Sequence, residues 1–391
     1  MVTVESADNV LKSFYLDAIK ESIDTKANPF LAMIEKKSVN VVGKDVRKVV
    51  RIGVGGGLMA GSETGDLPTG DSANRIQLVA TLKNLYGTIE ISDKALRASA
   101  NDDGAFVNLL NEEMGALYQN AKFNFGRMLF GAGNGYLASV TEAEGNVVKV
   151  MEVHNLVEGM VVDFYDTSDM PIESLQGCKI TNVNHNTGYV QFAGVNFDDE
   201  VDNVRGIYLH GSKGCELTGL EAIFDTDENI YDVERVDAPN AYMTPIIDNC
   251  TGGISDTYMQ QMIDQAEEQS GGRINLIICS AGVKRALCKY LREQGITLPT
   301  IELKGGFKAL DFYGIPLVTD RFCPKKTMYL LNTDDFALHQ LCDWKWLEGE
   351  DGKILKQVPG KPVYTATLVK YAELMCDRPC GQVKIANITE A

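Results

Sequence analysis

Residues 46–91 read VRKVVRIGV, then GGGLMAGSETGDLPTGDSAN, then RIQLVATLKNLYGTIEI. Both outer blocks have strand chemistry. Val46, Val49, Val50, Ile52 and Val54 give the first its β-branched weight. In the second, Ile76, Leu78, Ala80 and Leu82 alternate with Gln77, Val79, Thr81 and Lys83, the period of two that a half-buried strand shows. Between them, Gly53 to Asn74 holds seven glycines, one proline and few bulky apolar side chains. Such a segment buries no core of its own. A long two-stranded arm is marginal in water when isolated, so this one is expected to lie on something else. A chain built this way is completed by a neighbour, which points to assembly ahead of catalysis.

Composition narrows the classes. At 391 residues, 45% hydrophobic and 23% charged, the chain is an ordinary globular sequence with room for two or three domains. No run approaches the roughly 18 consecutive apolar residues of a membrane span. The opening MVTVESADNV has no basic n-region and no apolar h-region, so no secretory signal is expected. The nine cysteines are odd in number, scattered and set mostly in apolar contexts such as LIICSAG, and are expected to be reduced, buried thiols. A net charge of −17 argues against a dedicated nucleic-acid binder, and would repel phosphate from an enclosing wall.

Outward from the arm, residues 4–34 show apolar residues at helical spacing (Val10, Leu11, Phe14, Leu16, Ile19, Ile23), with Asn28-Pro29 as an interruption. The longest helical stripe runs through Phe106, Leu110, Met114, Leu117, Ala121, Phe125 and Met128. Asp102 or Asp103 can cap it, and Gly131 is placed to end it in the left-handed conformation. Residues 137–215 carry short strand-like runs (NVVKVMEV, GMVVDFYD, CKITNVNHNTGYVQFAG, NVRGIYLHG) and read as a small all-β insertion. From Ser255 to about Phe336 helices and strands alternate, with Ser255 and Ser280 as N-caps. The tail, VYTATLVKYAEL and GQVKIANI, returns to strands.

Catalytic and metal patterns compete with plainer readings. The cluster Gly53, Gly55, Gly56, Gly57, Gly61 lacks the lysine of a P-loop and opens no helix, so it reads as an arm tip. His154, His185, His210 and His339 are never adjacent in sequence, and Cys376 and Cys380 form a lone pair; neither set makes a convincing zinc site. Ser280 in ICSAG has Ile278 where a nucleophile elbow needs glycine. No cofactor, no metal and no enzymatic activity are expected. The basic run Lys36, Lys37, Lys44, Arg47, Lys48, Arg51 stands out in so acidic a chain. It is either a solvated strand or a clamp to an acidic patch on an adjacent copy, and the charge contrast favours the clamp.

The order of parts (arm, glycine-rich hairpin, long helix, β insertion, α/β segment, closing strands) resembles the major capsid protein of tailed bacteriophages, the Hong Kong 97-like family. The likeness is strongest at FYGIPLVTDRFCPKKTMYLLNTDDFALHQLCDWKWL, residues 312–347, with LTGLEAIFD at 217–225 and YGTIEISDKAL at 86–96. It implies an α+β capsid fold. Residues 1–38 would be the N-terminal arm and 39–88 the extended E-loop hairpin. The peripheral domain would take 89–136 with the spine helix, 217–245, and 342–391 with the C-terminal strands. The axial domain would take 246–341, and 137–216 would be an inserted β domain that the minimal fold lacks. The implied function is a shell of hexamers and pentamers closing into an icosahedron around packaged double-stranded DNA, without sequence-specific binding and with no membrane. The implied partners are further copies of the chain, a portal, and a scaffolding or decoration protein. With no long charged helix ahead of the arm, any scaffold is expected to be a separate protein. The implied location is the virion, assembled in the host bacterial cytoplasm. The expected inter-subunit contacts are Lys44, Arg47, Lys48, Arg51, Gly55, Gly56, Gly57, Gly61, Leu67 and Pro68 in the E-loop, and Phe14, Ile19 and Phe30 in the arm. Some relatives join an E-loop lysine to a neighbour's asparagine; with no lysine between Gly53 and Asn74, no such cross-link is expected here. The alternative with the same fold is an encapsulin-type compartment holding an enzyme cargo.

Overall fold

A computed structural model describes residues 28–53, 58, 60–66, 74–94, 103–197, 204–227, 229–235, 238–303, 306–349 and 352–391. The chain is a mixed α+β fold in which three sheets and a barrel share the strands. A short helix α1 (Pro29–Met33) leads into β1 (Glu35–Lys37), β2 (Val41–Val42) and β3 (Asp45–Ile52). Asn28-Pro29 starts this helix. The Asn28 side chain accepts from the Leu31 N–H at 2.7 Å, and Pro29 takes the first helical position, where no N–H is needed.

The arm is a hairpin, but a shorter one than its sequence suggests. β3 pairs antiparallel with β4 (Asn74–Thr81) in unbroken register from Asp45↔Thr81 to Ile52↔Asn74. At Leu82 the chain changes sheets, and the buried positions shift from even numbers (Leu78, Ala80, Leu82) to odd (Leu85, Ile89, Ile91). Its next strand, β5 (Lys83–Ser92), pairs with β20 (Val363–Cys376) from Lys83↔Ala372 to Ser92↔Val363. Leu85, Ile89 and Ile91 point into the core there, which fixes the strand to the body of the molecule. β20 also pairs with β18 (Phe336–Trp346) and β19 (Lys356–Gln357), and β1 lies parallel on β18, completing a five-stranded sheet.

The long helix α2 (Asp103–Met128) lies on this sheet. At roughly 1.5 Å per residue it spans about 39 Å. Met114, Leu117, Phe125 and Met128 of the stripe are buried. The approach is close at Gly87, where a Cβ would lie 2.8 Å from Leu117 Cδ1. Gly131 does not take the left-handed conformation expected of it. The helix ends in a tightened turn, with the Phe130 and Gly131 N–H groups bonding to the Arg127 and Met128 carbonyls at 3.0 and 3.1 Å, and the left-handed positions fall at Gly133 and Gly135.

Residues 136–209 form a closed six-stranded barrel from β6 (Tyr136–Glu144), β7 (Val147–Val150), β8 (Val161–Asp166), β9 (Cys178–Asn184), β10 (Tyr189–Phe192) and β11 (Val204–Leu209). Its core is its own. Phe164 meets Phe192 and Phe197 edge-on, at 5.2 and 5.0 Å between ring centres. Closure removes the free edges that a small inserted sheet would otherwise expose.

Helix α3 (Leu220–Phe224) returns the chain to the body, and a seven-stranded mixed sheet follows. It comprises β12 (Ile246–Asn249), β13 (Leu276–Cys279), β14 (Thr300–Glu302), β15 (Lys308–Phe312), β16 (Ile315–Thr319), β17 (Met328–Leu331) and β21 (Val383–Ala386). β13 and β17, LIIC and MYLL, are buried at every position because the sheet is covered on both faces. Leu276 and Ile278 face the main core under α2, while Ile277 and Cys279 face helices α4 (Asp256–Ser270) and α5 (Ala281–Glu293). Ser255 and Ser280 cap these two helices, and Gly271 ends the first with φ of 65°. β21 inserts between β12 and β17 in this sheet, so the closing strands of the chain divide between two sheets instead of staying with β18 and β20.

Candidate assembly surfaces

The hairpin β3–β4 projects one face to solvent. Even-numbered Val46 is buried and Lys48 half-buried, whereas odd-numbered Arg47, Val49 and Arg51 are exposed, Val49 at 60%. Parity therefore divides the basic run. Lys48 turns inward to an ion pair with Asp377 of its own chain, just past β20. Lys37 pairs with Glu35 at 2.8 Å, and Arg47 and Lys36 approach Asp45 and Asp343 at 3.9 Å. Lys44 and Arg51 are exposed and have no ion pair among the described residues. Leu78 and Ala80 root β4 in the core, and the Val79 N–H bonds to the Tyr231 carbonyl at 3.0 Å. Gly61 is exposed. Gly55, Gly56, Gly57, Leu67, Pro68, Phe14 and Ile19 lie outside the described residues. Phe30 is fully buried in its own subunit, edge-on to Phe336 at 5.1 Å. It anchors the chain to β18 and offers nothing to a neighbour.

Two further exposed apolar positions mark faces away from the hairpin. Tyr313, 64% exposed, tips the two-residue β15–β16 turn, where it and Gly314 both have positive φ, the geometry of a type I′ hairpin turn. Tyr86, 62% exposed, stands on the outer face of the five-stranded sheet. A groove of about 530 Å³ opens where β5, α2 and the barrel exit meet, lined by Leu85, Leu117, Met128, His210 and Trp344 among others.

The residues considered for catalysis are scattered. His210 Nδ1 lies 2.7 Å from Asp163 at the barrel edge, and Asp163 also accepts from the Gly177 and Gly211 N–H groups. His154 is pushed down to about 4 by burial and by Lys325 and Arg321. His339 is fully buried in β18. Burial raises the thiols of Cys376 and Cys380, the second to about 11. Ser280 caps α5 and donates to Glu390 Oε1 at 2.5 Å, which occupies its hydroxyl. Among the described residues no three His, Cys, Asp or Glu side chains converge as a metal site.

Sequence reading missed the charges that lie inside. Arg127 near the end of α2 and Glu216 beyond the barrel, both 2% exposed, form a two-pronged ion pair with one arm at 2.9 Å. Lys370, with no exposed surface, reaches Asp343 at 2.6 Å and lies 5.7 Å from the Phe125 and Trp344 rings. Glu373 is buried and pushed up to about 7 by loss of water, against the pull of the Thr218 N–H at 2.7 Å. The available signal was a lone Lys and a lone Glu inside the apolar run ATLVKYAELM.

No protein-family model matches this sequence, and no curated protein matches it. Its fold, however, has solved counterparts. Superposed on the capsid asymmetric unit of cyanophage A-1(L), the chain gives a TM-score of 0.55 at 11% identity, covering 93% of each chain. Fainter likenesses, both at TM-score 0.49 and 9% identity, are to the SrpI encapsulin complex of Synechococcus elongatus PCC 7942 and to the capsid of a native GTA particle. With 93% of each chain covered, this chain has the fold of the major capsid proteins of tailed bacteriophages.

Proposed function

We propose that this chain is a major capsid protein, a structural protein that self-assembles into hexamers and pentamers of an icosahedral shell around the double-stranded DNA of a tailed bacteriophage. The observation that carries the reading is the end-to-end likeness to a phage capsid subunit. The arrangement is the one a shell needs. The hairpin puts Arg47, Val49 and Arg51 on a face that its own subunit leaves uncovered. The charge of −17 suits a wall that encloses DNA without gripping it. The portal, and a scaffolding or decoration protein, would be its other partners, with assembly in the host cytoplasm.

Expressing the chain alone and with candidate scaffolds, followed by electron microscopy, tests this. Closed shells are expected. Shells from infected cells that contain genome-length DNA support the virion reading, and shells packed with one enzyme would move the chain to the encapsulin class. A chain that stays monomeric throughout refutes both.

A further inference from the structure

The two helices that cover the outer face of the seven-stranded sheet carry opposite charge. α4, DTYMQQMIDQAEEQS, holds Asp256, Asp264, Glu267 and Glu268 and no basic residue. α5, AGVKRALCKYLRE, holds Lys284, Arg285, Lys289 and Arg292 against the single acid Glu293. Both bury their apolar stripes in one shared core, and Tyr290 of α5 donates to Asp256 of α4 at 2.9 Å. Their outward rows lie apart from that contact. On α4 the row is Gln261, Asp264 and Glu268; on α5 it is Arg285, Lys289 and Arg292, and all six are half or fully exposed. Asp264 accepts from Gln260 of its own helix at 3.0 Å, and Arg285 donates to the Ala391 carbonyl at 2.7 Å. Glu390 lies close enough to Arg285 to feel its charge, and among the described residues Asp264, Glu268, Lys289 and Arg292 have no side-chain ion pair within 4.0 Å.

Arg292 suits the negative end of α5, but other charges of the two helices are placed against local preference. α4 has no basic residue in its last turn and instead gathers Glu267 and Glu268 near its negative end. α5 has no acid in its first turn and instead sets Lys284 and Arg285 close to its positive end. Like charges also repeat at i and i+4, Asp264 with Glu268 and Arg285 with Lys289, a spacing that repels along a helix. A partner of complementary charge would offset these repulsions.

We propose that the acidic row of α4 docks on the basic row of α5 in the next copy of this chain. The two patches are different surfaces of one subunit, so the contact is head-to-tail, which repeats into a ring where the rotation per copy closes and into an open filament where it does not; the shell reading requires the ring. Charge pairs across such a contact tolerate small changes of angle better than packed apolar faces do, which suits rings of more than one size. This contact rests on the shell reading and names one interface within it.

The test is charge exchange in the full chain. Asp264→Lys with Glu268→Lys, and separately Lys289→Glu with Arg292→Glu, are each expected to raise the protein concentration needed for assembly at least about tenfold, as two exposed pairs lost and turned repulsive would. All four substitutions in one chain restore complementarity and are expected to recover assembly. Sedimentation reads assembly, and thermal unfolding confirms that each variant is folded. Either reversal assembling like the parent, or a folded four-fold variant that fails to assemble, overturns this contact while leaving the shell reading intact. A parent chain that never assembles overturns both.

Discussion

Arg127 and Glu216 are the residues on which the junction of spine helix and barrel turns. Each is 2% exposed, so removing one leaves the other charged and dry. Arg127→Ala or Glu216→Ala is expected to cost about 3–5 kcal/mol in urea unfolding, and the double change Arg127→Met with Glu216→Leu markedly less, because no charge is then stranded. Glu373 sets a pH dependence. Its folded carboxyl titrates at about 7 against an ordinary 4.5, so the folded chain holds a proton that the unfolded chain has released. Stability is therefore greatest below the ordinary value and falls as pH rises through the window from 4.5 to about 7. The loss is at most about 3 kcal/mol, since each tenfold change in proton affinity is worth about 1.4 kcal/mol. Glu373→Gln should flatten the unfolding midpoint across that window while keeping the acceptor for Thr218. His154 works in the opposite direction, with stability lost as pH falls from 6.5 towards about 4.

At the scale of elements, the described hairpin strands are rooted in the main core by Val46, Leu78 and Ala80, with Val50 and Ile76 packed against it, and none of these falls in the glycine-rich segment between the strands. Deleting Gly55 to Ser72 should leave the two sheets and the barrel folded, with an unchanged thermal midpoint, while preventing shell closure in electron micrographs. Parity divides the basic run into two experiments. Arg47→Glu with Arg51→Glu should weaken assembly and leave the isolated subunit's stability nearly unchanged. Lys48→Glu faces Asp377 and should instead loosen the hairpin base, seen as faster amide exchange across β3 and β4. What the sequence made legible here was local. Ser255 and Ser280 act through atoms within a few residues, so the N-caps of α4 and α5 could be read directly. The sheet change at Leu82 leaves only a slip of the apolar alternation, from even numbers (Leu78, Ala80, Leu82) to odd (Leu85, Ile89, Ile91), and nothing local names the partner strand β20, which lies far along the chain. Phe30 likewise looked like an arm residue until Phe336 came beside it. The ion pair of Lys48 depends on which face of β3 meets the body, and that is fixed only by tertiary packing. The charge contrast between α4 and α5 was readable in the residues but acquires meaning only when both helices are seen on one face of one sheet.

For the whole molecule, three hydrophobic clusters divide the work: one inside the barrel, one under α4 and α5, and one joining the hairpin base, α2 and the inner face of the seven-stranded sheet. The proposed shell is expected to hold by contact alone. The amines nearest the hairpin tip, Lys44, Lys48 and Lys83, belong to its base or to the strand beyond it, and all nine cysteines are free. Mature particles boiled in detergent should run as a single monomer band with or without reductant. A ladder that survives reductant would show a covalent bond between subunits. The position of β21 adds a constraint of timing. It is made after every other strand of its sheet, yet it lies between β12 and β17, and the Glu390 that follows it accepts from Ser280 at the start of α5. Until Val383 to Ala386 have been translated, the sheet beneath α4 and α5 is split down one seam. Nascent chains crowded on one messenger would therefore lack the proposed docking face until β21 has been made, and the order of the strands itself would hold that contact back.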